Sequence, residues 1–428
     1  MGTVERYYSQ YQRAMALGML GRGDQKIELL RDIVAADSGD YADEAAYELG
    51  RTYIAREEYG KGAATLEPFV ERYPNSPYYT AALLDLGLAH FNLGDTAKSL
   101  KYYDKVVSKD PNSSEAKDAL LGMREIYVDT GNVNAYFDYA EKTGVECDLS
   151  NMVRDSLTFE SVQKVYMAGK TVEAVAPLEK YLNDFPKGYY KDDALFYLSD
   201  CYLRNGDSDK AVESLRELSE RPSNQYTLRV LGELSKLAYS KGQYETAATA
   251  YRKLYDAEQS VQARNDAMTG YVRSVKNYGN DDMIVAMADF VASQSEAGAT
   301  ALRESKYAKA KILQRRGDNG GAIELFKELS ADVRYAEGAE AAYEVIESEY
   351  AAGHLDEAEQ LVYAFADKKS SQEYWLGKSF LLLGDIYRSR DDLFQARATY
   401  QSIVDGYSIK NDGIIEEAKE RIRNLNRE

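Results

Sequence analysis

The chain has 428 residues, 44% apolar and 29% charged, with 71 acidic against 53 basic side chains and a formal net charge of −18. That balance excludes a chain too polar to bury a core, and the negative field excludes unspecific binding to nucleic-acid phosphates. Two cysteines and two histidines rule out a disulfide scaffold or a thiolate-rich metal cluster and leave little imidazole for hydrolytic chemistry.

Met1 to Arg6 lack the basic region and apolar run of a secretion signal. Tyr7, Tyr8 and Tyr11 then open a first helix with no capping unit before it, which predicts that the chain is the C-terminal part of a longer helical array. From there a single period governs the sequence. Turn glycines recur at Gly94, Gly131, Gly169, Gly206, Gly242, Gly279, Gly317 and Gly353, separated by 36 to 38 residues. The same ruler reaches Gly23-Asp24 and Glu57-Glu58 upstream, and Arg390-Asp391 downstream. About eleven units therefore fill almost the whole chain.

Each unit reads as two helices. Between Thr80 and Pro111, the three- and four-residue steps of Leu83, Leu86, His90 and Leu93 predict one buried face of a first helix. Gly94 ends it, because glycine takes the left-handed conformation without a Cβ penalty. Asp95 caps the next helix, whose buried face carries Leu100, Tyr103 and Val106 and which Pro111 stops. Small residues, Gly87 and Ser99, let the two helices approach closely. Neither helix buries its apolar stripe alone, so units must stack.

The residues Leu83, Leu86-Gly87, Gly94-Asp95, Tyr103 and Pro111 resemble the tetratricopeptide-repeat pattern, with His90 where Tyr is usual. Leu49-Gly50, Tyr53 and Leu66 repeat it, as do Tyr202, Gly206-Asp207 and Ala211, and again Gly384, Tyr387, Ala396 and Tyr400. The units around Gly131 and Gly279 fit least well. The resemblance implies an all-α fold, a right-handed superhelical solenoid of about eleven hairpins over residues 1–412, with a capping helix over 413–428. The aromatic-Pro joints at Tyr73-Pro74 and Phe185-Pro186 are similar to those of bacterial cell-envelope repeat proteins. That likeness implies a periplasmic or outer-membrane-associated full-length protein, with a cytoplasmic setting as the alternative. No run reaches the roughly 18 apolar residues of a membrane helix, and Lys378, Gly384 and Asp385 interrupt the nearest, so this chain is expected not to insert into a membrane directly.

Candidates for chemistry have plainer readings. Cys147 and Cys201 fall in different units, and the second takes an inward position, so both are expected to be structural thiols. His90 is expected to pack in the core and His354 to lie in a turn. The pairs Asp192-Asp193, Asp281-Asp282 and Asp391-Asp392 stand at helix starts, where carboxylates meet free N–H groups and the positive end of the dipole. Tyr53, Tyr103, Tyr202, Tyr251, Tyr387 and Tyr400 are expected to face inward. No catalytic residue, metal ligand or cofactor site is expected.

The exposed first-helix face remains. The resemblance assigns ligand contacts to this concave surface, one of them six residues before the turn glycine. That register gives Glu125, Gln163, Asp200, Lys236, Arg273, Lys311 and Glu347, with cations in three successive units. Lys276, Asn277 and Arg315 lie nearby, and residues 225–316 hold 14 basic against 10 acidic side chains. Two readings stand: a site for an acidic segment of a partner, or a patch that pairs with acids of neighbouring units. The function expected is a non-catalytic scaffold that binds protein or peptide segments and not nucleic acid. The alternatives are a cell-envelope assembly factor and a peptide-responsive regulatory sensor.

Overall fold

The computed structural model describes residues 3–36 and 41–425, so residues 426–428 of the expected capping helix lie outside it. Among the described residues there are twenty-three α-helices and no strand. They run as eleven consecutive pairs, from α1 (Thr3–Met19) and α2 (Gly23–Ala36) to α21 (Glu373–Ser389) and α22 (Leu393–Gly406), and end with α23 (Ile414–Leu425). The chain divides into two compact units, residues 1–214 and 215–428.

The hairpin of α5 (Tyr79–Asn92) and α6 (Thr96–Lys109) shows how the sequence builds each pair. Leu83, Leu86 and His90 are buried as their spacing predicts, and so are Tyr103 and Val106 on the facing helix. Gly94 turns the chain at φ +79°. The Asp95 carboxylate accepts from the Lys98 N–H at 3.0 Å, capping α6. Leu93 departs from the expectation: it follows the last turn of α5 and is 50% exposed, because the face it would share ends with the helix.

Close approach is the second requirement, and Gly87 meets it. The Ser99 hydroxyl donates to the Gly87 carbonyl at 2.7 Å, and a Cβ on Gly87 would lie 2.3 Å from the Tyr103 ring. A Cβ on Gly122, in α7 (Ser114–Asp129), would meet the same ring at 2.5 Å. Tyr103 is thus wedged between two successive first helices, and each gives it room by having no side chain.

The ruler of turns holds with three amendments. Left-handed backbone occurs at seven of the eight spaced glycines, whereas Gly279 has φ −72° and Asn280 caps the following helix instead. The first turn lies at Gly21, φ +71°, and Gly23 already belongs to α2. Where the ruler meets no glycine, the chain still turns left-handed, at Glu57 (φ 59°) and Asp391 (φ 63°).

Both terminal helices pack against their neighbours. Tyr7 and Tyr11 pack against Ala14, Ile27, Leu30 and Leu49, while Arg6, Ser9, Gln12 and Arg13 face outward or lie at the margin. Tyr8, between Tyr7 and Tyr11, remains 49% exposed. At the other end Ile414, Ala418 and Leu425 of α23 are buried against Leu381, Ala396 and Tyr400. Glu416, Lys419, Glu420 and Arg423 face solvent, which suits a cap.

Candidate functional site

Three first helices of the second unit carry the expected cations: α13 (Thr227–Ser240), α15 (Val261–Tyr278) and α17 (Ala299–Arg315). Lys236, Arg273 and Lys311 occupy equivalent places on them, six residues before each turn. The structure gives the three different surroundings.

Arg273 donates through Nε and Nη2 to the buried carboxylate of Glu304, at 3.1 and 2.7 Å. That hydrogen bond raises the guanidinium pKa against the opposing effect of burial. Lys276 approaches the same carboxylate at 3.9 Å. Lys311 sits between Glu344 and Glu340, at 2.9 and 3.1 Å. Burial lowers the pKa of its ammonium, but the bonds to Glu344 and Glu340 outweigh this and the net shift is upward. Arg315 reaches across to Asp281 at 2.7 Å, and Asn277 spends its amide on the Arg273 carbonyl of its own helix at 2.8 Å. Lys236 is exposed and has no ion pair among the described residues.

The patch is therefore not a row of free cations. Arg273, Lys276 and Lys311 are held by acids of the next hairpin, the second of the two readings left open by the sequence. The acids obey a register that sequence reasoning missed. Glu304 and Glu340 each stand thirteen residues before their own turn glycine, so a cation at minus six faces an acid at minus thirteen one unit later. Asp266 holds the corresponding place for Lys236, but the two make no ion pair; the Gln262 amide donates to Asp266 at 3.1 Å instead. A hollow of about 380 Å³ opens here, lined by Tyr239, Tyr251, Asp266, Thr269, Arg273 and Thr300. It offers hydroxyls, a carboxylate and the half-exposed edge of a guanidinium.

The other candidates take their plainer roles. Burial pushes the Cys201 thiol up to about 11 and raises that of Cys147, which makes both poor nucleophiles at neutral pH. His90 stacks on Tyr102 with ring centroids 5.5 Å apart and meets Glu67 at 3.1 Å. His354 stands at the start of its helix, 2.8 Å from Glu349. Asp392 caps through its side chain, accepting from the Gln395 N–H at 3.0 Å. Asp281 and Asp282 receive Arg315 and Arg316, each at 2.7 Å. Tyr53, Tyr103, Tyr202 and Tyr400 are buried as expected, while Tyr251 and Tyr387 are half-buried. Among the described residues no group of His, Cys, Asp and Glu could hold a metal ion, and no helix is long and apolar enough to cross a membrane.

Comparison with known proteins bears on the family. Two sequence models, both described as tetratricopeptide repeat, match residues 47–114 and 307–373 and residues 193–223 and 378–408. No curated protein sequence matches the chain. Among solved structures, yeast Tom70 is 12% identical with a TM-score of 0.31, covering 99% of this chain and 96% of its own. A tetratricopeptide repeat protein from Parabacteroides merdae is 15% identical with a TM-score of 0.26, covering 64% and 98%. A kinesin light chain repeat protein from Podosopora anserina is 19% identical with a TM-score of 0.24, covering 43% and 96%. Scores this low carry no argument, so the assignment stands on the matched repeats and on the paired helices that coincide with them. On those grounds the matched segments are tetratricopeptide repeats, and paired helices continue between and beyond them.

Proposed function

We propose that the protein is a non-catalytic scaffold that holds an extended segment of a partner protein along its first helices. The hollow beside Arg273 is one contact point. The observation that carries this reading is the combination there of an unspent guanidinium edge, tyrosine and threonine hydroxyls and Asp266 on a surface shared by successive hairpins. Such a surface serves hydrogen bonding to an extended backbone and its side chains. An acidic residue of the partner meets Lys236, whose ammonium has no competing carboxylate.

The held cations and the free one separate binding from stability. Lys236→Glu is expected to weaken binding of acidic ten-residue peptides on an array at least tenfold and to leave the melting temperature unchanged. Arg273→Glu places a second carboxylate beside buried Glu304 and should lower the melting temperature whether or not it alters binding. Equal retention of acidic, neutral and basic peptides, or wild-type binding by Lys236→Glu, would sink the preference for an acidic segment. A scaffold that retained no peptide at all would sink the reading itself.

A further inference from the structure

The last hairpin carries a cleft that the first-helix reading does not use. It lies where the start of α21 meets the end of α22, has a volume of about 450 Å³, and has an apolar floor of Leu376, Phe380, Ile403 and the Tyr407 ring. A volume above about 300 Å³ is in the range of real ligand sites. Glu373, Ser402, Gly406 and Ser408 at its margin are exposed, so an occupant is gripped from one side only.

Two local departures from the repeat open this space. The joints at Tyr73-Pro74 and Phe185-Pro186 place a large polar residue, Arg72 or Asp184, before the aromatic. Here the aromatic is Tyr407, Gly406 precedes it and Ser408 replaces the proline. A Cβ on Gly406 would meet nothing within 4 Å, so the missing side chain leaves empty space rather than making room for a neighbour. Gly377 does the reverse. Its Cβ would lie 2.9 Å from Tyr407, so its absence lets the ring settle as a wall.

Charge distinguishes the cleft further. The Ser408 hydroxyl donates to Glu373 and the Tyr407 hydroxyl to Asp412. Neither carboxylate has a lysine or arginine partner among the described residues, whereas nearby Asp385 is met by Arg421 at 3.2 Å and Glu359 is met by Arg390. The cleft is thus apolar at its floor and acidic at Glu373 on its rim, and among the described residues its lining holds hydroxyls but no lysine or arginine.

We propose that this cleft takes an apolar side chain from an extended segment of a partner protein, with a lysine or arginine two residues further on meeting Glu373. In an extended chain, residues i and i+2 point the same way about 6.6 Å apart, which lets one strand satisfy both floor and rim. A partner segment suits the open side better than a free small molecule, because a chain continues to make contacts beyond the cleft.

The test is a fluorescence-anisotropy titration of the full chain with three labelled hexapeptides, identical but for a Phe-Ser-Lys, Phe-Ser-Glu or Ser-Ser-Lys core. The first should bind at least tenfold more tightly than the other two. Gly406→Leu fills the cleft at a position whose φ is not left-handed, and should weaken that binding at least tenfold while preserving helicity. Glu373→Lys, an exposed change in the first turn of α21, should shift the preference to the Phe-Ser-Glu peptide and carries the test even if Gly406→Leu fails to fold. Equal binding of the three peptides, or an unchanged preference in Glu373→Lys, would overturn the proposal. Phenethylamine binding as tightly as the first peptide would also overturn it, by making the site one for small amines. Lys236→Glu should leave this titration as it is in the parent chain, so failure here is distinct from failure of the first-helix reading.

Discussion

At the scale of single residues, tyrosine hydroxyls serve carboxylates, some of which a cation also meets. Tyr139 donates to Asp104 at 2.8 Å, Tyr307 to Glu340 at 2.7 Å and Tyr400 to Asp385 at 2.7 Å. These hydroxyls are part of the core and also donors to carboxylates at its margin, a role that inward periodicity alone does not disclose. Asp85 is the instructive exception. Burial pushes its carboxyl up to about 6, and the Arg51 charge and the Tyr47 hydroxyl offset this only in part. One of its oxygens is buried without a hydrogen-bond partner. A folded-state pKa above the unfolded value means that the native state binds the proton more tightly. Asp85 therefore favours the fold most below about pH 4, and its contribution is lost as pH rises through about 6. Asp85→Asn is expected to stabilise the protein at pH 7 by about 1–2 kcal/mol and to give almost no gain at pH 4. Urea melts of both proteins at the two pH values check this. An equal gain at both would show that packing, and not ionisation, sets the effect.

At the scale of elements, helix ends were legible and helix contacts only in part. Gly94, Asp95 and Asp392 act through bonds within five residues, so turn and cap follow from local sequence. The left-handed turns at Glu57 and Asp391 were placed by the period although the residue types argue against them. There stacking imposes a conformation that a non-glycine residue adopts at a cost of about 1–2 kcal/mol. The Tyr103 wedge lies between these cases. Gly87 was recognised as a point of close approach within its hairpin, but Gly122 belongs to the next unit, and its contact with the same ring exists only after stacking. Gly122→Ala would bring a methyl to 2.5 Å from Tyr103 and is expected to cost about 1–3 kcal/mol. Adding Tyr103→Leu should recover part of it. A melt of Gly122→Ala coinciding with that of the parent would show that the ring shifts freely and that the wedge is not tight.

At the scale of the whole molecule, the charge of −18 makes the folded chain repel itself. Ladders such as Arg273–Glu304 and Lys311–Glu344 act against that repulsion locally, each over about 3 Å. Raising ionic strength from about 10 mM to about 150 mM shortens the Debye length from about 30 Å to about 8 Å, which screens the distant acids more than the bonded pairs. The melting temperature should therefore rise, by about 2–4 °C for each ~1 kcal/mol gained, in calorimetry at the two salt concentrations. A fall would mean that the ion-pair ladders, not the net repulsion, dominate the electrostatics of the fold.

The sequence by itself determined the family of fold, the number of hairpins, their turns and most of their buried faces. Each of these rests on spacing within one unit, and eleven copies average out the irregular ones. It also located the cations of the first-helix face. Only the tertiary structure decided what those cations do, because the acids that meet Arg273 and Lys311 lie 29 to 33 residues away and come into reach through the register of neighbouring units. The same holds for the cleft of the last hairpin. Gly406 reads as an ordinary glycine near a helix end until the space around it is seen to be empty, and emptiness is a property of packing that no single stretch of chain encodes.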